Sequence, residues 1–195
     1  MDEHVISHFY ADPHFGHDKI IEYEQRPFGD VAGMNRELIV RYNREVKPEH
    51  TCLWAGDAFL KMPSEVCKMI MGQLNGRKFL LMGNHDKSVS GMAKLGFMVI
   101  TGELVLSMGD RVVRVSHYPY WTGDADRHGR NKELTPEQIE RYKALHPQRI
   151  KGEVLLHGHI HGSKRRHENM INIGVDAWHY RPVSWAEVEE LVRQI

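Results

Sequence analysis

Five short apolar runs in this chain each end in a cluster of Asp, Asn or His residues. The runs are strand-like and lie at residues 5–11, 51–55, 79–82, 112–115 and 153–156. The clusters that follow them are Asp12-Pro13-His14, Gly56-Asp57, Gly83-Asn84-His85-Asp86, Ser116-His117 and His157-Gly158-His159-Ile160-His161-Gly162. When strands of a sheet end at one edge, the loops that follow them meet there. The pattern therefore predicts one site assembled from loops at a sheet edge.

The residue types in these clusters suit a pair of divalent cations. A carboxylate can bridge two cations, imidazoles complete their coordination, and an Asn carbonyl adds a neutral oxygen donor. Two metals about 3.5–4 Å apart can stabilise both the attacking and the leaving oxygen of a phosphoryl transfer. Hydrolysis of a phosphate ester is therefore the predicted reaction.

As a set, the five clusters resemble the motifs of the calcineurin-like metallophosphoesterase superfamily, which are D-x-H, G-D, G-N-H-[DE], H and G-H-x-H. The likeness spans residues 12–161. It implies an α/β fold of four layers, an α/β/β/α sandwich in which two mixed sheets are flanked by helices. The stretch Asp12-Pro13-His14-Phe15-Gly16-His17, with Arg26-Pro27-Phe28 after it, is more narrowly similar to small phosphoesterases of bacteria and their phages.

The resemblance also implies roles for individual residues. Seven of them would hold two metals. The ligands of the first metal would be Asp12, His14, Asp57 and His161, and those of the second Asp57, Asn84, His117 and His159. Asp57 would be the bridge between them. His85 would be the catalytic residue that protonates the departing oxygen or stabilises its charge. Candidates for contact with the substrate are His17 and Arg26.

The segment after Asp57 departs from two better-known branches of the superfamily. Phosphoprotein phosphatases continue G-D-x-x-D-R, with the second Asp pairing the catalytic His, and purple acid phosphatases have a ligand Tyr at the same point. Here Leu60 and Lys61 occupy those positions. Both branches are disfavoured, and what orients His85 is left open.

The expected mechanism is attack on phosphorus by a metal-activated hydroxide, because bound cations lower the pKa of water. Mn, Fe, Zn, Co and Ni all accept this donor set, so the two divalent metal ions are not identified. Small phosphodiesters, nucleotide-like ones among them, are the predicted substrates, because a phosphomonoester dianion usually needs extra cations such as the Arg that Lys61 replaces. The alternatives are a phosphomonoesterase, a nuclease on the same site, or a metal-binding scaffold without catalysis.

Length and charge fit one enzyme domain. The 195 residues, 41% of them hydrophobic, can bury a core without crosslinks, so residues 1–195 are predicted to form a single metallophosphoesterase catalytic domain. The formal net charge is +0, whereas proteins that grip long nucleic acids usually have a basic face. A small phosphoester is therefore the expected partner, with no strong sign of long nucleic acid binding.

Nothing in the chain indicates a membrane protein. No run approaches the roughly 18 apolar residues of a membrane span, and the start Met1-Asp2-Glu3-His4 lacks a charged and then apolar leader. A cytoplasmic location is expected. Cys52, in a strand-like run, and Cys67, in a helical one, are interpreted as buried thiols. The oligomeric state is open.

Helix and strand signals indicate the rest of the fold. The stretch after Asp30 has an apolar residue at every fourth position, which predicts a helix with one apolar face. Those residues are Met34, Leu38, Tyr42 and Val46. Capping-box signals at Thr135–Gln138 and Ser184–Glu187 predict helices that end near residues 145 and 194. Further strands are predicted at residues 97–101, 103–107 and 170–173.

The longest irregular stretch is Tyr118–Leu134. Loops of this length are commonly functional or disordered, and since this one begins directly after His117 we expect it to overhang the site. Its aromatic residues are Tyr118, Tyr120 and Trp121. They could stack on a base or an aromatic leaving group, but packing against the sheet edge is the favoured interpretation.

Overall fold

The computed structural model of the protein describes residues 5–121 and 135–195. The strands are β1 His8–Tyr10, β2 Thr51–Ala55, β3 Arg77–Leu81, β4 Met98–Ile100, β5 Leu104–Met108, β6 Arg111–Val115, β7 Glu153–His157, β8 Arg166–His167, β9 Met170–Asn172 and β10 Val183–Ser184. The helices are α1 Asp18–Tyr23, α2 Val31–Glu45, α3 Ser64–Met71, α4 Val89–Lys94, α5 Pro136–Lys143 and α6 Trp185–Arg193. A 3₁₀ turn spans Val175–Trp178.

The strands form two five-stranded mixed sheets. The first has the order β10-β1-β2-β3-β4, with β1 to β4 parallel and β10 antiparallel at one edge. The second has the order β5-β6-β7-β9-β8, with β6, β7 and β9 parallel between two antiparallel edge strands. Within each parallel set the carboxyl ends lie at the same edge. The predicted sandwich of two mixed sheets flanked by helices is confirmed.

Side chains of β2 alternate between two hydrophobic layers. Cys52 and Trp54 lie in the cluster that also contains Leu38 and Tyr42 of α2. Leu53 and Ala55 lie in the cluster that joins the two sheets and contains residues of α6. All five residues of β2 are buried, which explains why this strand reads as a continuous apolar run and not as an alternating one.

The predicted helix signals are present. The Asp30 side chain accepts a hydrogen bond from Gly33 N at the start of α2. Both capping boxes form, with Thr135 and Gln138 at the start of α5 and with Ser184 and Glu187 at the start of α6. A capping box satisfies backbone N–H groups that the first helical turn leaves without partners, so these two helices begin where the sequence predicts.

The cysteine thiols agree with their interpretation. Cys52 and Cys67 are both buried and free. Among the described residues, no helix has both the length and the apolar composition needed to span a bilayer.

Candidate metal centre

The structure brings together the clusters that the sequence singles out. Asp12 and His14 follow β1, Asp57 follows β2, Asn84 and His85 follow β3, His117 follows β6, and His159 and His161 follow β7. Both sheets therefore contribute to one site at the carboxyl ends of their parallel strands. The distances that follow show how these side chains are arranged.

Asp57 lies at the centre of the site. Its Oδ2 is 3.5 Å from His14 Nε2, 3.6 Å from His117 Nε2 and 4.0 Å from His85 Nε2. Its Oδ1 accepts a hydrogen bond of 2.9 Å from the backbone N–H of His85. The residue is 2% exposed. A single carboxylate thus faces imidazoles from three different loops.

The first group of ligand atoms comes from Asp12, His14 and His161, and these atoms lie within 4.8 Å of one another. Asp12 Oδ1 and both ring nitrogens of His14 are buried without a hydrogen-bond partner. Burying such groups unsatisfied costs about 1–3 kcal/mol each. A cation would compensate Asp12 Oδ1 and the His14 nitrogen that bears the lone pair, so this group fits a divalent metal.

The second group is built around His117. Its Nδ1 donates to Ala55 O at 2.8 Å, so the ring nitrogen with a lone pair is Nε2. That Nε2 lies 2.9 Å from Asn84 Oδ1 and 3.2 Å from His159 Nδ1. The lone pair of His117 Nε2 thus faces a lone pair of the Asn84 oxygen, and the two repel each other. A cation between these atoms could be coordinated by both.

Both aspartates are close enough to serve two groups. Asp12 belongs to two sets of clustered ligand atoms, the set with His14 and His161 and a set with Asp57 and His117. However, the nitrogen of His117 that approaches Asp12, at 3.8 Å, is Nδ1, which is already bonded to a carbonyl. The available Nε2 faces Asp57 instead. The geometry therefore favours Asp57 as the shared carboxylate.

The backbone around the site is strained. Left-handed φ angles occur at five of the predicted ligands, namely Asp12 (56°), His14 (50°), Asp57 (55°), His159 (71°) and His161 (50°). Each such residue costs of order 1–3 kcal/mol and persists only where its surroundings impose it. Two glycines allow the close approach of backbone to carboxylate: a Cβ on Gly83 would overlap Asp57 Oδ1, and one on Gly158 would overlap Asp12 Oδ2.

Burial shifts the pKa values of Asp12, His14 and His117 toward their neutral forms, whereas for His161 burial is outweighed by the hydrogen bond to Asp176, which raises the pKa. Burial raises the pKa of Asp12 to about 7, and the neighbouring Asp57 acts in the same direction while His161 opposes it. Burial also holds the pKa of His14 well below its usual range and lowers that of His117 to about 4. These imidazoles are consequently neutral at pH 7, the form that can ligate a metal.

Asp86 is a support that the motif contains but that sequence reasoning gave no role. Its carboxylate accepts three backbone hydrogen bonds, from Asp57 N at 2.9 Å, Ala58 N at 3.0 Å and Gly83 N at 2.8 Å. These bonds join the loop after β2 to the loop after β3. Asp86 therefore holds Asp57 in its strained conformation.

His85 lies on the open side of the site. Its side chain is 44% exposed, in contrast to the 2% of Asp57, and its ring centroid is 5.5 Å from that of His14. In the part of the chain that the structure describes, Asp57 is the acidic side chain within 4.0 Å of this imidazole. The central carboxylate thus fixes the backbone of His85 through a 2.9 Å bond, and its 4.0 Å separation from the ring is too long for a hydrogen bond that would orient the imidazole.

His17 and Arg26, the two predicted substrate contacts, differ in their surroundings. The His17 ring lies 5.4 Å from that of His14 and is partly buried, so its contact with substrate stays a prediction. Arg26 is 3% exposed and donates to the Asp176 carboxylate and to the carbonyls of Asp12 and Pro13. The donors of Arg26 are thus engaged within the protein, and its contact with substrate, like that of His17, stays a prediction. Sequence reasoning missed Asp176, which stands outside the five clusters.

The aromatic residues after His117 divide between two roles. Tyr120 is 2% exposed and packs with Leu155 and Met170, as the packing interpretation predicts. The Tyr118 ring lies 4.9 Å from His117 and 4.8 Å from His159, so it borders the second group. The remainder of the predicted loop, residues 122–134, lies outside the described residues.

No family model matches the chain. An uncharacterized protein of Methanocaldococcus jannaschii is 37% identical over 78 residues, which is 40% of this chain and 44% of that protein, so the match spans less than half of the relative's length. The gene 66 protein of Mycobacterium phage D29 is 28% identical over an alignment of 209 positions that covers 96% of each chain.

Among solved structures, a protein of unknown function from Aquifex aeolicus aligns with a TM-score of 0.68 and 26% identity over 94% of this chain and 97% of that chain. A novel archaeal phosphodiesterase and the E. coli phosphoesterase YfcE align with TM-scores of 0.40 and 0.39, at 16% and 13% identity, over 86% of this chain and 82% and 76% of theirs. What the chain does therefore has to be argued from its own residues.

Proposed function

We propose that this chain is a phosphoesterase that uses two divalent metal ions to hydrolyse small phosphodiesters. The observation that carries the proposal is a set of ligand-type atoms without hydrogen-bond donors: Asp12 Oδ1 and the lone-pair nitrogen of His14 are buried and have no partner, and His117 Nε2 faces Asn84 Oδ1 at 2.9 Å. A fold keeps such groups buried only if something positive compensates for them. The order of the five sequence motifs supports the same conclusion.

The two groups give the ligand sets of the proposed metals. Asp57 would be shared. The ligands beside it would be Asp12, His14 and His161 for one metal, and Asn84, His117 and His159 for the other. When bound, such metals lower the pKa of water and neutralise charge that develops on phosphorus. This set has two carboxylates and one neutral amide oxygen, so a metal pair in it would retain positive charge for a phosphate anion.

His85 is the proposed source of the proton for the departing oxygen. Its imidazole is exposed at the mouth of the site, 4.0 Å from Asp57 Oδ2, whereas the ligand-type imidazoles are buried. A proton held on Nε2 can reach a leaving group that enters from solvent. The backbone bond from His85 N to Asp57 Oδ1 holds the main chain of His85 beside the carboxylate that the two metals would share.

The environment of Arg26 supports diesters over monoesters as substrates. A phosphomonoester dianion is usually held by additional cations beside the metals, often a guanidinium. The guanidinium of Arg26 is committed to Asp176 and two backbone carbonyls and cannot serve this purpose. Lys61, at the position of the phosphatase Arg, is exposed. A phosphodiester has one negative charge and therefore needs fewer cations in the site than a phosphomonoester dianion.

The test begins with elemental analysis of the purified protein and continues with turnover under each metal found. We expect two equivalents of divalent metal and a higher kcat/KM for bis-nitrophenyl phosphate than for nitrophenyl phosphate at the same pH. A better rate on the monoester would replace the diesterase by a phosphatase. Wild-type protein that binds no divalent metal would remove the proposed function altogether.

A further inference from the structure

Behind the first ligand group lies a buried ion pair between residues 150 positions apart in the chain. Arg26 Nε donates to Asp176 Oδ1 at 2.8 Å, and Arg26 Nη2 donates to Asp176 Oδ2 at 2.9 Å. The two side chains are 0% and 5% exposed. A buried pair of this kind adds little net stability, because desolvation of the charges offsets their attraction, but its fork geometry is specific. The pair is thus better explained by what it positions.

The other donors of Arg26 hold the loop that contains Asp12 and His14. Arg26 Nη1 donates to Pro13 O and Nη2 donates to Asp12 O, both at 2.9 Å. The residues on either side of Pro13 have left-handed φ angles of 56° and 50°. Arg26 therefore places two charge-assisted hydrogen bonds at the point where this loop is strained.

The Asp176 carboxylate reaches the second loop of the same group. Its Oδ2 accepts from His161 Nδ1 at 3.0 Å, and because a carboxylate only accepts, it is Nδ1 that bears the proton when the ring is neutral. The lone pair is then on Nε2, and His161 has a ligand atom within 4.8 Å of those of Asp12 and His14. Carboxylate partners of this type fix the tautomer and orientation of histidines that bind metals.

We propose that Arg26 and Asp176 form a positioning pair that organises the Asp12-His14-His161 group for its metal before the metal arrives. The pair acts on the backbone of one loop through Arg26 and on the ring of His161 through Asp176. The inference rests on the proposed function, because it presupposes a cation at this group. Within the described residues the hydrogen bonds of the pair lead to the first group, so the second metal should be much less affected.

The test uses Asp176→Asn in the full-length, metal-stripped protein. The side-chain amide has one oxygen and one NH2 group, and in either orientation the NH2 group faces a donor, Arg26 Nε in one case and Arg26 Nη2 with His161 Nδ1 in the other, so the network is broken. Mn²⁺ and Zn²⁺ titrations by calorimetry should show one binding step weakened by about 10–100-fold and the other unchanged. Nitrogen NMR of ¹⁵N-histidine should show a tautomer change at one ring in the metal-free protein, a signal that a purely structural role would not move.

A matched control is available in Arg181→Lys. Arg181 also makes a fork-like pair, with Glu187 at 2.6 and 3.1 Å, but this pair lies at the start of α6. Both binding steps should keep their wild-type affinities in this variant. A loss equal to that of Asp176→Asn would mean that any broken ion pair weakens metal binding, which would overturn the inference.

A second variant covers the case in which Asp176→Asn does not fold. Arg26→Lys keeps the charge but loses the fork, and it should weaken the same binding step. Folded variants that bind both metals with wild-type affinity and wild-type histidine tautomers would overturn the positioning pair and leave the proposed function intact. Wild-type protein that binds neither Mn²⁺ nor Zn²⁺ would overturn the function itself, so the two failures are distinguishable.

Discussion

Trp54 and Asp57 are three residues apart and both buried, yet burial acts on them in opposite directions. Trp54 is surrounded by aromatic rings, with centroids at 4.7 Å for Tyr10 and 5.2 Å for Phe97, so removing it from water stabilises the fold by roughly 25 cal/mol per Å² of apolar surface. Asp57 is surrounded by imidazole nitrogens, and its removal from water is costly. The core can exist without any ligand, whereas the cluster needs backbone support and a positive charge.

The largest expected effect is that of Asp57→Asn, which should change the ligand cluster and leave the hydrophobic core intact. Asp57→Asn should remove at least one of two metals, because an amide is a poor bridge between cations, and turnover should fall by more than for any other single change. The folded state should persist, since the core is untouched. Elemental analysis and circular dichroism test this, with Asp30→Asn, a helix cap where Asn serves as well, as control. Two full equivalents of metal in Asp57→Asn would contradict the bridge.

A loss of roughly 10²–10⁴-fold in turnover is expected for His85→Ala, the usual contribution of a positioned acid or base. Both metals should remain, because this ring is exposed and outside the two ligand groups. The loss should shrink for good leaving groups such as nitrophenolate. Exposed His167 provides the control His167→Ala. Equal losses on good and poor leaving groups would show that His85 positions phosphate and does not donate a proton.

A substitution in the hydrophobic core tests whether the core and the ligand cluster are independent. Leu38→Ala removes a fully buried side chain and should lower the free energy of unfolding by about 2–5 kcal/mol. Metal affinity should stay at the wild-type value, because the cluster depends on its own loops. Urea denaturation and metal titration measure the two quantities, and Val40→Ala, 52% exposed on the same helix, is the control. A coupled loss of metal affinity would show that the two regions are not independent.

The smallest effect is a pH dependence at the other end of β1. Burial, with help from His50, lowers the pKa of His8 to about 4, while in the unfolded chain it is about 6.5. The unfolded state therefore binds the proton more readily, so this stability is complete above about pH 6.5 and declines as pH falls toward 4. In His8→Gln, unfolding free energies between pH 4 and 7 should have a shallower slope, by up to about one proton. An unchanged slope would contradict the shift.

Much of this architecture follows from local patterns in the sequence. The run Thr51–Ala55 is a strand with the predicted bounds, because a threonine and four apolar residues buried on both faces have no amphipathic alternative. The helix after Asp30 and the two capping boxes are likewise local signals, and the structure confirms them. The loops after the five strands do meet, but they come from two sheets and not from the single sheet edge that was predicted. Parallel pairing places the ends together within each sheet, and the packing of one sheet on the other brings the two sets together.

The supporting contacts could not be predicted in this way. Arg26 and Asp176 are joined by a hydrogen bond across 150 positions, and no spacing rule connects them. The role of Asp86 depends on three backbone N–H groups from two loops, which no side-chain pattern records. Arg26 is an example: the sequence makes it a candidate for substrate contact, and its hydrogen bonds to Asp12 O and Pro13 O become visible only in the folded chain.

Because the ligand residues come from both sheets, the proposed cations would crosslink the two sheets. Asp12, Asp57 and Asn84 extend from the first sheet, while His117, His159 and His161 extend from the second. In the metal-free chain the sheets are joined by apolar contacts and by hydrogen bonds such as that from His117 Nδ1 to Ala55 O, which local openings at this edge would break. Coordination would tie these openings to metal dissociation. The backbone amide hydrogens of β1, β2, β6 and β7 would then exchange with solvent at a rate limited by metal dissociation. Their exchange would be slower than in the metal-free protein.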